Sequence, residues 1–306
     1  MQVLARFAMR GRSQAALVAA TTAVLSVLPV IGLLAALISA GVIALATLRH
    51  GPSEGLLVAG LAGLGGGVLA WLALGSPLPA IGFLLIFWFP VWLLAVALGW
   101  SRSLSVTVQA AAGLAVLGLV LVYAIAGGVR DPWIEILEPL RLALVEAAVL
   151  GEADSVAAIE RVAAWMPGLL TATVYLMVVS SLLIGRWWQA LLYNPGGFGA
   201  EFRALRIHPL LGVVTVAVYL LVVFLGEAHW AIALLLILGP LLVLQGLAVV
   251  HALAYARQTH VGWLAGLYVL FVLGFPLPQM IVAGLGLADI WVDLRSRFSG
   301  RDDERP

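Results

Sequence analysis

The chain is a succession of apolar runs separated by short polar breaks. Runs such as Leu104 to Gly128, Leu210 to Gly226 and Trp230 to Tyr255 are long enough, or nearly so, to cross a hydrocarbon layer about 30 Å thick. Only helices and closed barrels satisfy their backbone hydrogen bonds in that layer. The runs lack the period-two alternation of barrel strands, so they predict helices. Two runs, Gln14 to Leu48 with Pro29 inside it and Val261 to Val292 with Phe275-Pro276-Leu277-Pro278 inside it, are too long for one comfortable span and short for two. Each is either one long kinked helix or a tight hairpin. With hairpins there are ten segments, at 14–28, 31–48, 56–74, 79–99, 104–127, 167–186, 209–225, 230–256, 261–275 and 278–292; with long helices there are eight.

Charge separates the two readings. Cytoplasmic flanks of membrane helices are enriched in Lys and Arg, and here all the cationic charge is arginine, because Lys is absent. The ten-segment path collects Arg6, Arg10, Arg12, Arg49, Arg102, Arg186, Arg203, Arg206, Arg257, Arg295, Arg297, Arg301 and Arg305 on one side. Only Arg130, Arg141 and Arg161 fall on the other. The eight-segment path sends Arg186, Arg203 and Arg206 across the membrane from the N-terminal arginines. The first path is favoured, with both termini cytoplasmic. Trp100, Trp165, Trp187, Trp188, Trp230, Trp263 and Trp291 all fall at segment ends, where interfacial belts form.

Composition agrees. A chain that is 63% hydrophobic and 10% charged has more apolar surface than one water-soluble core can hide. The expected fold is therefore all-α, a polytopic transmembrane bundle of eight to ten segments. It forms a single membrane domain over 1–306, with N-terminal helices at 1–128, an extracytoplasmic amphipathic insertion at 129–166, C-terminal helices at 167–292 and a charged cytoplasmic tail at 293–306. A net charge of +1 gives no basic field for nucleic acid. With no Cys in the chain, disulfide and thiol chemistry are excluded.

Between the helices two stretches stand out. Arg130 to Met166 carries seven acidic and three basic residues. It reads as two amphipathic helices broken near Pro139, with a turn at Gly151 to Asp154 and Ser155 as a cap. The pair either lies on the outer face or forms a lid above a cavity. The second stretch, RWWQALLYNPGGFGAEFRALRIHP at 186–209, is a candidate cytoplasmic docking surface made by Arg186, Trp187, Trp188, Tyr193, Asn194, Pro195, Gly196, Gly197, Phe198, Glu201, Phe202, Arg203 and Arg206. Trp187 and Trp188 would anchor a helix end at the headgroups. Asn194-Pro195-Gly196-Gly197 signals a turn. Phe198, Phe202 and Leu205 share a helix face, with Arg203 and Arg206 toward water. A lipid-anchored connector and a phosphate site at the Gly-Gly turn are the other readings.

Within the segments ionisable groups are almost lacking; Asp289, Asp293 and His251 sit near cytoplasmic ends. Buried charge marks proton and sodium relays, so its scarcity argues against an intrinsic ion-coupled pump. Gln109, Tyr123, Tyr175, Tyr219, Gln245, Tyr268 and Gln279 are expected to hydrogen-bond between helices. Gly60, Gly63 and Gly67 lie on one face of 56–74, and Gly262 and Gly266 repeat the spacing, so close helix packing is expected. Segment 79–99 is dense in aromatics around Pro90, and Phe87, Trp88 and Trp92 are candidate walls of a cavity.

The stretch at 186–209, followed some seventy residues later by PLPQMIVAGLGLADIWVDLRSR, resembles the YybS-like family of bacterial polytopic membrane proteins. The resemblance implies a multi-pass protein of the bacterial cytoplasmic membrane. In general design the chain is also similar to the substrate-capture subunits of energy-coupling-factor vitamin transporters, small helical proteins that bind a micronutrient and dock to a separate ATPase. It departs from them in length and in its outer insertion, and no ligand residue carries over. No motif for catalysis, a cofactor or a metal is present, and an enzyme is not expected. The function that follows is a membrane subunit that binds or transports a small molecule and takes its energy from a partner. The alternative is a membrane scaffold that docks cytoplasmic proteins through 186–209.

Overall fold

The computed structural model describes residues 1–125, 131–226 and 228–299. Arg130, Arg301 and Arg305, the end of the 104–127 segment beyond Ile125 and the last seven residues of the tail lie outside them. All regular structure among the described residues is helical, as the uninterrupted apolar runs predict: α1 (Gln2–Ala8), α2 (Arg12–Leu25), α3 (Gly32–His50), α4 (Pro52–Leu74), α5 (Leu78–Phe83), a π-helical turn at Leu84–Trp88, α6 (Phe89–Ser101), α7 (Leu104–Ile125), α8 (Asp131–Glu146), α9 (Glu152–Tyr193), α10 (Gly197–Arg203), α11 (Pro209–Leu225), α12 (His229–Ala256), α13 (Val261–Leu273), α14 (Leu277–Val292) and α15 (Leu294–Ser299).

Six of these elements are long and apolar enough to cross a membrane: α3, α4, the run from α5 to α6, α7, α9 and α12. The protein is a multi-pass membrane protein whose apolar helices contact the lipid bilayer. Both ambiguous runs are broken. α2 and α3 are separate helices joined at 26–31, and α13 and α14 meet at a bend of 119°. At 13 residues α13 rises only about 20 Å, so it cannot span the hydrocarbon layer alone.

The helix ends have local causes. Gly51 adopts φ +98° between α3 and α4, a conformation that costs other residues, and Pro52 then starts α4 where its missing N–H is harmless. His208 and His260 cap α11 and α13, each ring accepting a hydrogen bond from the backbone N–H two residues on, at 3.2 and 3.1 Å. Before Pro90 the helix widens into the π turn: Pro90 has no N–H to give Ile86, and an inserted register shift is one way to absorb that loss.

Two expectations are corrected by α9. The amphipathic stretch expected at 129–166 is not set off from the following segment at 166. Its second amphipathic helix runs on through Pro167 to Tyr193 as one helix of 42 residues, about 63 Å long. Thr171 donates its hydroxyl to the Pro167 carbonyl one turn back at 2.8 Å. Ser155 does not cap this helix; it lies in the first turn, donating to the Glu152 carbonyl at 2.7 Å. Likewise Pro139 lies inside α8 without ending it.

The contacts divide the chain into two compact units, 1–111 with 174–206 and 112–173 with 207–306. In the first, α3 is central, and Ala40 to Ala46 are all buried. The α9 backbone approaches α3 through Gly185, where a Cβ would come 2.8 Å from the Gly41 carbonyl oxygen. In the second, α12 and α14 pack backbone to backbone. A Cβ on Gly246 would strike the Val282 carbonyl, and one on Gly286 the Leu242 carbonyl.

Candidate functional site

The first unit contains an apolar cavity of about 350 Å³, lined by the end of α2, by α4, by α5 and by Trp88 of the π turn. Its walls are aliphatic except for Phe83, Trp88 and Ser26. The Ser26 hydroxyl is committed to the Ala23 carbonyl at 2.6 Å, so the cavity offers little hydrogen bonding. Phe83 and Trp88 meet edge to face, 5.5 Å between centroids, an arrangement aromatic quadrupoles favour.

Of the three aromatics expected to wall a cavity, Trp88 does so. Phe87 and Trp92 do not line it; Phe83, one turn earlier, takes their place. Trp88 is fixed by a hydrogen bond from its Nε1 to Ser39 Oγ at 3.0 Å, and Ser39 Oγ in turn donates to the Ala19 carbonyl at 2.7 Å. One serine thus ties α2, α3 and the cavity wall together. Trp92 faces elsewhere, donating to the Pro52 carbonyl at 2.8 Å. The sequence marks the aromatic cluster but not which ring faces inward, because the π turn shifts the helical register after Leu84.

The segment proposed for docking is not a loose connector. Arg186, Trp187 and Trp188 lie within α9 instead of at a helix end. The Arg186 side chain is buried and pairs with Glu201 of α10 through two guanidinium bonds, one of them from Nε at 2.9 Å. Trp188 is fully buried and so is not a headgroup anchor, while Trp187 remains part-exposed. Gln189 donates to the Leu48 carbonyl at 3.0 Å, and the Arg49 guanidinium stacks 4.1 Å over the Tyr193 ring. Gly196 takes φ +85° in the turn, with Asn194 and Pro195 exposed. Phe198 and Phe202, both half-buried, meet in a tilted pair with ring centroids 6.0 Å apart. Leu205, beyond α10, is fully buried, and Arg206 is exposed while Arg203 is half-buried. α10 has seven residues, too few for a phosphate-binding helix terminus of any reach.

The glycine expectations divide. Gly63 meets the Leu84 side chain, but Gly60 and Gly67 face open space, as does Gly266. Among the seven intramembrane polar side chains, Gln245, Tyr268 and Gln279 do bond between helices. Gln109 donates at 2.7 Å to Ser105 in its own helix, and the Tyr123 and Tyr175 hydroxyls meet no hydrogen-bonding partner among the described residues.

Asp289, expected only at the end of a segment, is enclosed and fully partnered. It is 1% exposed. Its carboxylate accepts from Gln245 Nε2 at 3.1 Å, from the Leu294 amide at 3.0 Å and from Arg295 at 3.0 Å. Gln245 Oε1 accepts from the Ile207 amide at 2.6 Å. A carboxylate with this many donors is satisfied where it stands. Six-residue spacing across a chain reversal at Asp293, itself at φ +47°, is not a pattern that sequence periodicity reveals.

Outside the spans Arg141 joins α8 to α9. It bonds Glu138 at 2.8 Å and Glu152 at 2.7 Å. The guanidinium holds the Glu138 carboxyl below the usual carboxylate range, mainly by hydrogen bonding, and Glu138 and Glu152 together raise Arg141. Among the described residues no three carboxylate or imidazole side chains gather to hold a metal ion. The chain matches no known protein family, no curated protein and no solved structure.

Proposed function

We propose that this membrane protein is a binding subunit for a small apolar or aromatic molecule held in the cavity beside Trp88. The observation that carries the reading is the cavity itself: about 350 Å³, within the range of small-ligand sites, with an almost wholly apolar wall and a tryptophan held in position by Ser39. A ligand there would be recognised by shape and by ring stacking against Phe83 and Trp88. The chain carries no Walker-type nucleotide motif, so accumulation of the ligand would need an energising partner. The resemblance to the YybS-like family and the arginine distribution support placing it in the bacterial cytoplasmic membrane, with both termini and 186–209 on the cytoplasmic side and the α8 region outside.

The test is native mass spectrometry of the gently purified protein. A retained neutral adduct is expected for the wild type and should be absent from Ala70→Trp, which fills the cavity. An adduct of the same mass retained equally by the variant would overturn the reading.

One observation favours a second role. The Arg186–Glu201 pair and the Arg49–Tyr193 stack hold the 186–206 segment as a fixed surface with Tyr193, Asn194 and Pro195 exposed. A protein captured reproducibly by the wild type and lost from Tyr193→Ala, with no small-molecule adduct, would assign the chain as a scaffold.

A further inference from the structure

The second unit carries a cleft with a different chemistry. Arg161, Val162, Trp165 and Leu169 of α9 and His229 and Ile232 of α12 enclose about 290 Å³. The α9 residues share one helix face, at spacings of three, four and seven or eight. The two helices pass close together just beyond them: a Cβ on Gly168 would come 2.7 Å from the Ala233 Cβ. Both Arg161 and His229 precede that crossing along their helices, so the two basic side chains lie toward one end of the cleft and Leu169 and Ile232 lie nearer the crossing. Arg161 Nε donates to the Ala157 carbonyl at 3.2 Å, which steadies the guanidinium on α9. No carboxylate lines the cleft among the described residues.

We propose that this cleft binds the headgroup phosphate of an anionic membrane lipid. Arg161 and His229 take the phosphate oxygens, the guanidinium presenting a planar fork suited to them. Trp165, 46% exposed, covers the glycerol region as interfacial tryptophans do. Val162, Leu169 and Ile232 take the first acyl carbons. A free anion would gain nothing from that apolar wall, and a zwitterionic lipid would bring its own cation to the two basic side chains. The inference does not depend on the cavity beside Trp88.

The test compares phosphatidylglycerol, phosphatidylcholine and inorganic phosphate, each added to the delipidated full-length protein in one detergent. Bound lipid is counted by native mass spectrometry and the thermal midpoint is measured alongside. Phosphatidylglycerol should bind and raise the midpoint above the value with phosphatidylcholine, and millimolar phosphate should do neither. Arg161→Gln should weaken phosphatidylglycerol binding about tenfold or more, the equivalent of one charge-assisted hydrogen bond, and Arg161→Lys should retain most of it. Both positions are at least partly exposed, so unchanged midpoints without lipid are expected for the variants. Equal binding of the two lipids, an equal shift with phosphate alone, or undiminished phosphatidylglycerol binding by the Arg161→Gln/His229→Gln double variant would each overturn the assignment.

Discussion

Helix α4 carries six glycines and the α12–α14 pair four, and the two regions use them differently. In α4, Gly60 and Gly67 face open space, while Gly63 meets the Leu84 side chain and Gly55, near the start of the helix, meets Thr47. In the α12–α14 pair, Gly246 and Gly286 are the points at which two backbones touch, and beside them Gln245 and Asp289 are closed off from solvent. Small-residue spacing along one helix therefore does not identify a packing face. A second helix must present its own gap opposite, as Gly286 does for Gly246. The teaching extends to charge: the Asp289–Arg295 pair is enclosed, whereas the Glu138–Arg141 pair lies at the protein surface with Glu138 42% exposed.

The sharpest break of this comparison is Asp289→Ala. It removes the carboxylate that accepts from Arg295 and from Gln245 Nε2 in an enclosed site, and losing one member of a buried pair costs about 3–5 kcal/mol. A steep fall in the thermal midpoint in detergent is expected, and an unchanged midpoint would show that the enclosure is not as drawn. Next is Gly286→Ala, whose methyl group would meet the Leu242 carbonyl; overpacking of this kind costs about 1–3 kcal/mol. Gly60→Ala should act with the opposite sign. It faces open space on a helix interior, so alanine should stabilise by about 0.5–1 kcal/mol. If the two glycine variants moved the midpoint in the same direction, the contrast between α4 and α12–α14 would fail.

The smallest effect concerns pH. Arg141 lowers the Glu138 carboxyl in the folded protein. Its contribution is therefore fully present above the ordinary carboxylate range and is lost as pH falls through the depressed folded value. Amide hydrogen exchange should report faster opening of the α8 turn that holds Glu138 and Arg141 under acid, while the bundle amides stay protected. Glu138→Gln should abolish that pH dependence.

Much of this architecture was legible in the chain. Nearly every apolar segment became a helix within a few residues of its expected bounds, and Pro29 and Phe275-Pro276 marked true breaks. The candidate sites were legible in outline only. Trp88 belonged to a marked aromatic cluster, yet Phe87 and Trp92 were indistinguishable from it, because a π turn rotates every later side chain. Arg186 looked like a helix-end residue because charge usually ends a span; Glu201, fifteen positions on, neutralises it inside the fold. Trp188 looked interfacial for the same reason, yet it is fully buried.

What the sequence determined by itself is the class of structure: in a bilayer, long apolar runs have no option but internally hydrogen-bonded helices, and that constraint acts locally, run by run. What only the tertiary structure decided is which side chains are enclosed. The cavity beside Trp88, the Asp289–Gln245–Arg295 cluster and the Arg161–His229 cleft each join residues from separate helices. Their positions depend on helix rotation and crossing, which the 3.6-residue period leaves undetermined when every face of a helix is apolar.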